Sequence, residues 1–264
     1  MRTEGPLTHP KRAVSPPTLQ WRTVKLVIGF QGTRYEGWQS QKKGNTVQEI
    51  FEKFLKKILK EEASLISSSR TDSGVHALGL VAHFRTKSAL PDQKIKQALN
   101  FYLPKDILVR SAKTVPGDFH ARFHAKSKVY RYQIWNLPTR PLFESPFVLW
   151  YPYALDARLM KRASLLFKGK HDFTAFQDKG DEKKNFVRTI KRFTVKKEKG
   201  VIHIEIEGDG FLRHMVRVIV GTLIEVGRKK ISPESISQTL RSRDRSQAGP
   251  TAKAHGLTLI KVKY

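Results

Sequence analysis

The chain has 264 residues, with 50 Lys and Arg against 23 Asp and Glu for a formal net charge of +27. That length allows one large domain or two halves of ordinary domain size, and the charge draws in any polyanion before a specific contact forms, so nucleic acid is the expected partner. With no cysteine there is no disulfide, no thiolate nucleophile and no cysteine-held zinc. No run of about 18 apolar residues offers a membrane span, and the first 20 residues lack the apolar core of a secretory signal, so a cytoplasmic protein is expected.

Residues 1–20 carry Pro6, Pro10, Pro16 and Pro17 among basic and small residues, a composition that predicts a flexible basic arm. The β-rich run 24–30 predicts the first strand. Thr46-Val47-Gln48-Glu49 has capping-box form, and Val47, Ile50, Phe51, Phe54, Leu55, Ile58 and Leu59 then recur at helical spacing, with Lys53, Lys56, Lys57 and Lys60 off the stripe. A strand is expected at 80–84, a helix at 92–102 and a short strand at 107–112. At 128–135 a further strand puts Tyr130, Tyr132 and Ile134 on one side, Val129, Arg131, Gln133 and Trp135 on the other. The second half reads as a helix at 156–167, a hairpin of 189–197 and 201–207, an apolar helix at 212–226, a short helix near 233–240 and a closing strand at 257–262. This alternation predicts two α+β units, over 21–136 and 137–264, rather than one doubly wound sheet.

Chemistry concentrates in a few blocks. Arg70-Thr71-Asp72-Ser73-Gly74-Val75-His76-Ala77 sets one carboxylate on a turn, two residues after a cation. It reads either as an Asx turn, with Asp72 bonding backbone N–H groups ahead of it, or as an acid poised to attack an electron-poor ring or sugar carbon. Gly32-Thr33-Arg34-Tyr35-Glu36-Gly37-Trp38-Gln39 presents a cation and two aromatics, suited to gripping a phosphate and stacking a base, or to plugging a core. Phe119-His120-Ala121-Arg122-Phe123-His124-Ala125, followed by Ser127-Lys128-Val129-Tyr130-Arg131-Tyr132, mixes basic, imidazole and aromatic groups. Gly208-Asp209-Gly210-Phe211-Leu212-Arg213-His214-Met215-Val216-Arg217 opens the apolar helix but lacks the third glycine of the dinucleotide fingerprint and the Walker lysine. In Gly169-Lys170-His171-Asp172-Phe173-Thr174-Ala175-Phe176, a helix-end packing motif with Phe173 and Phe176 in the core is expected. The histidine spacing shows no metal-binding pattern, so no metal site is expected.

The block around Asp72 closely resembles the active-site loop of the TruA-type tRNA pseudouridine synthases, usually Gly-Arg-Thr-Asp-Ala-Gly-Val-His, with Ser69 and Ser73 as small-for-small departures. The other blocks follow in that family's order from about residue 24 to the C-terminus, including Gln247-Ala248-Gly249-Pro250-Thr251-Ala252-Lys253-Ala254-His255-Gly256-Leu257, where Lys253 stands in place of the usual proline. The resemblance implies two ferredoxin-like or RNA-recognition-motif-like halves joined into one mainly antiparallel sheet, with helices on one side and a central active-site cleft. It implies isomerisation of uridine to pseudouridine in the anticodon stem-loop, in the stem just 3′ of the loop, by base flipping and without a cofactor. Asp72 would be nucleophile or base, Arg70 would take the place of the flipped base, and Arg217 would pair with Asp72. Tyr130 would lie against the uracil, with Arg34, His120 and Arg122 as further substrate-binding groups. A homodimer holding one tRNA across both subunits is also implied. The competing reading is a noncatalytic RNA-binding protein of RNA-recognition-motif type, which would account for charge and fold class but shows no Lys/Arg-Gly-Phe-Gly-Phe-Val-x-Phe strand here.

Overall fold

The structure, a computed structural model, describes residues 20–41, 44–178 and 185–264, so the basic arm expected over 1–20 lies outside it except for Gln20. The described elements are β1 (Arg22–Phe30), α1 (Val47–Leu59), β2 (Ile66–Ser67), β3 (His76–Thr86), α2 (Asp92–Tyr102), β4 (Ile107–Val115), β5 (Ser127–Trp135) and β6 (Leu149–Trp150). They continue as α3 (Ala157–Leu165), β7 (Gly169–Asp172), β8 (Val187–Glu198), β9 (Val201–Gly208), α4 (Met215–Gly227), α5 (Ser235–Ser242) and β10 (Leu257–Lys263). Every helix and strand predicted from periodicity is present, because each lies on an apolar face long enough to be buried. Those that sequence does not reveal are β2, β6 and β7, of two, two and four residues.

The sheet runs β4-β1-β3-β10-β5-β9-β8-β7, with β2 added on β3 and β6 on β5. It is mainly antiparallel, as an α+β reading requires. Its seam is made by the last strand. β10 returns to lie parallel to β3 through Thr258↔His76 and Leu259↔Ala77, and antiparallel to β5 from Leu257↔Tyr132 to Lys263↔Ser127. β5 precedes residue 137 in the chain, yet it pairs with β9, β10 and β6, all of which follow it.

Local chemistry sets the ends of the elements. The Thr46 hydroxyl accepts from the Glu49 N–H at 3.4 Å, half of the capping box, while the Glu49 carboxylate takes the Ser40 hydroxyl at 2.8 Å and the Gln41 N–H at 3.1 Å. Asp156 caps α3 by accepting from the Arg158 and Leu159 N–H groups. α4 is buried almost all round, which explains why its sequence lacks a polar face. At Gly221 a Cβ would stand 1.6 Å from the Pro250 carbonyl oxygen, so only glycine lets the loop before β10 lie directly on this helix.

One expectation is corrected in form. The 169–176 block is an edge strand followed by a 3-10 turn, Thr174–Phe176, rather than a helix end. Its Asp172 caps that turn through the Thr174 N–H and hydroxyl and pairs with Arg243, while Phe173 and Phe176 are fully buried as predicted. Among the described residues no helix is long and apolar enough to cross a membrane.

Candidate active site

The Asp72 loop links β2 to β3 and rests on the glycine-flanked segment after β1. Trp38 N–H donates to the Thr71 carbonyl at 3.1 Å, while the Gly74 N–H and the Ser73 hydroxyl donate to the Tyr35 carbonyl at 3.2 and 3.3 Å. The approach is close enough to need glycine twice: a Cβ on Gly37, at φ +95°, would stand 2.5 Å from the Thr71 carbonyl oxygen, and one on Gly32 would stand 2.0 Å from that of Val75. Tyr35 and Trp38 are buried, so this block is the bed on which the loop is laid. His76 locks the other side. It is buried, its Nδ1 accepts from the Gly32 N–H at 2.9 Å, and its Nε2 lies 2.9 Å from the Pro146 carbonyl and 3.1 Å from that of His255. With both ring nitrogens spoken for, His76 is a strut, and burial holds its pKa below the ordinary imidazole value against the opposing pull of the two carbonyls.

The backbone at Asp72 does turn, its carbonyl accepting from the Val75 N–H at 3.1 Å with Gly74 at φ +76°. Its side chain does not close an Asx turn. Oδ2 instead faces Arg217 Nη1 at 3.2 Å and His214 Nε2 at 3.4 Å, and Oδ1 has no partner among the described residues. The carboxylate is 28% exposed, between side chains that are 16% and 18% exposed. Both partners come from the start of α4, where the helix dipole also favours negative charge. Arg217 is braced by reciprocal bonds to the loop before β10, its Nε donating to the Ala252 carbonyl at 2.8 Å while the Ala252 N–H returns to the Arg217 carbonyl at 3.1 Å. This explains a motif with no evident chemistry of its own: the 247–257 block is the socket of Arg217.

His214 is the residue that sequence reasoning missed. It sits in αL conformation at φ +57° as the N-cap of α4, with Nδ1 2.5 Å from Asp178 Oδ2, and Arg245 Nε lies 3.5 Å from Asp178 Oδ1. A signal existed, since positions 214 and 217 share one face at helical spacing.

Tyr130 and Tyr132 meet different parts of this cluster, Tyr130 near Asp72 and Tyr132 near Arg217. Tyr130 is buried with its ring edge-on to Phe211 at 5.2 Å. Burial pushes its hydroxyl up to about 12, with the Asp72 charge adding and the nearby Ser69 hydroxyl opposing. The Ser69 and Thr71 hydroxyls are themselves buried without a hydrogen bond of normal geometry. Tyr132 is fully buried and donates to the Lys253 carbonyl at 2.8 Å, its ring pressed on Gly256. Arg70 projects outward, with no hydrogen bond or ion pair among the described residues.

The remaining predicted residues make no hydrogen bond or ion pair with Asp72. Arg34 is bound to Asp106 at 2.8 and 3.0 Å, on a side chain that stays 72% exposed. His120 caps its own turn by accepting from the Arg122 and Phe123 N–H groups, and its ring packs 5.1 Å from His83. His83 is on β3 seven positions beyond His76, toward the end of the strand away from the Asp72 loop. A groove of about 530 Å³ lined by Thr33, Arg140, Trp150, Lys253 and His255 adjoins the His76 strut, not the carboxylate.

Residues 26–124 and 163–264 match the tRNA pseudouridine synthase family. The chain belongs to that family. It is 46% identical over 245 residues to tRNA pseudouridine synthase A of Acetivibrio thermocellus, covering 92% of this chain and 100% of that protein. It is also 46% identical over 243 residues to tRNA pseudouridine synthase A 2 of Clostridium perfringens, and 43% over 242 residues to tRNA pseudouridine synthase A of Geobacillus kaustophilus, covering 91% of this chain and 94% of the latter. The matched segments contain the pseudouridine synthase loop around Asp72 and the start of α4, whereas Tyr130 falls between them.

Proposed function

We propose that this chain isomerises uridine to pseudouridine in tRNA, in the anticodon stem just 3′ of the loop, as a cytoplasmic homodimer holding one tRNA across both subunits. Family membership supports the reaction, and the net charge of +27 supports a polyanionic substrate. The observation that carries the mechanism is the asymmetry of Asp72: one oxygen is fixed by Arg217 and His214, the other is open. A carboxylate fixed through one oxygen keeps the other aimed, which is the arrangement a nucleophile needs. The glycosidic N1–C1′ bond breaks, the uracil turns, and C1′ rejoins at C5. C5 gives up its proton and N1 gains one. Atoms and electrons balance within the substrate, so no cofactor is required. In this reading Asp72 opens the glycosidic step, at C6 of the ring or at the ribose carbon. Arg70 fills the space of the flipped base, and Tyr130 packs against the uracil. Arg34, His120 and Arg122 belong to the grip on the RNA backbone, which reads A-form shape and phosphates.

Asp72→Asn tests the reading, because Asn keeps the shape of the side chain but is neither nucleophile nor base. The variant should fold, bind tRNA within about twofold of the parent, since a substitution this small leaves the backbone grip intact, and release no tritium from [5-³H]uridine-labelled tRNA. Near-parental tritium release would remove Asp72 from the chemistry. A parent that binds tRNA and releases none would favour the noncatalytic RNA-binding reading.

A further inference from the structure

Behind Asp72 runs a line of alternating charge: Asp72, His214, Asp178, Arg245. The imidazole spans two carboxylates, with Nδ1 2.5 Å from Asp178 Oδ2 and Nε2 3.4 Å from Asp72 Oδ2. The ring thus lies against both carboxylates, and each carboxylate has an arginine of its own, Asp72 with Arg217 of α4 and Asp178 with Arg245. The ring is held from behind as well, the Asp178 N–H donating to the Arg213 carbonyl at 3.4 Å and the Val218 N–H to the His214 carbonyl at 3.0 Å.

Building on the pseudouridine synthase reading, we propose that His214 is a positioning residue for Asp72: clamped by Asp178, its ring holds Oδ2 beside Arg217 so that Oδ1 faces the substrate. Two variants separate this role from packing. His214→Asn tolerates the αL backbone and still reaches toward Asp178, but offers nothing to Asp72. His214→Gln extends an uncharged amide donor toward Asp72.

At saturating tRNA the single-turnover rate of His214→Asn should fall by about 10- to 100-fold, the range for one charge-assisted contact, with tRNA affinity unchanged and partial recovery in His214→Gln. Asp178→Asn, which loosens the clamp without touching Asp72, should slow the same step and add little to His214→Asn in the double variant. A readout independent of turnover is the NMR chemical shift of the His214 ring nitrogens at fixed pH, which should change in Asp72→Asn and in Asp178→Asn. Ring shifts unmoved in Asp72→Asn would overturn the pairing whatever the enzyme does with tRNA. Parental rates for His214→Asn would overturn the positioning role. Ring shifts that move in a protein whose parent forms no pseudouridine would uphold the pairing and refute the substrate reading instead.

Discussion

Two tyrosines, two residues apart on the same side of β5, show how position divides labour. Both are buried. Tyr132 has its hydroxyl on the Lys253 carbonyl, whereas that of Tyr130 lies near Ser69 and Asp72. Replacing Tyr130 by alanine would empty a core site as well as a pocket and confuse the two effects, so phenylalanine is the sharper substitution. Tyr130→Phe keeps the ring on Phe211 and should change stability by less than about 0.5 kcal/mol while slowing tritium release. Tyr132→Phe removes the bond of a fully buried residue's hydroxyl to the Lys253 carbonyl and should cost about 1 kcal/mol with turnover per folded molecule retained. Urea midpoints and tritium release on the same samples check both, and the reverse pattern would exchange the roles. Tyr130 and Tyr132 were legible as a same-side pair from alternation alone, but which of them meets Asp72 depends on where β5 sits in the sheet.

At the scale of elements, the 247–257 loop supports α4. Its departure from the usual family pattern, Lys253 in place of proline, is compatible with the backbone there: φ is −57°, within the range that proline fixes, and the Lys253 N–H has no partner among the described residues. Lys253→Pro should therefore raise stability by about 0.4–1 kcal/mol by restricting the unfolded chain, read as a higher urea midpoint at an unchanged m-value. A lower midpoint would mean that the preceding residue cannot adopt the extended backbone proline demands. The helices themselves were readable because caps and stripes act within a few residues, as Thr46 at α1 and Asp156 at α3 show. The two-residue strands were not, since a segment as short as Ile66–Ser67 acquires its identity only from the β3 edge it joins.

For the whole molecule, acid should act at three buried or half-buried histidines, His76 beside the seam of β3 and β10, His255 just before β10, and His83 where β3 meets β1 and β2. Burial, as the largest cause, holds His76, His83 and His255 below the ordinary imidazole value, with the charge of Lys253 adding at His255 and His120 adding at His83. Their folded values lie below the unfolded value of about 6.5, so below that pH the unfolded chain binds more protons than the folded one. Stability contributed by keeping them neutral is complete above about pH 7 and is lost as pH falls through 6.5. Melting temperatures between pH 8 and 5 should decline on the acid side, before the carboxylates titrate; a flat profile over that range would contradict this account. Sequence by itself determined the helices and the longer strands, the α+β class, the expectation of a polyanionic partner and the loop that carries Asp72, because these follow from short-range periodicity, composition and contiguous motifs. Only the tertiary structure decided that the last strand lies between β3 and β5, by what route Arg217, expected from the resemblance, reaches a carboxylate 145 positions earlier in the chain, and that His214 turns toward it. Those contacts depend on strand order and on two glycine-mediated close approaches, and the spacing of residues along a chain does not encode which distant surfaces will meet.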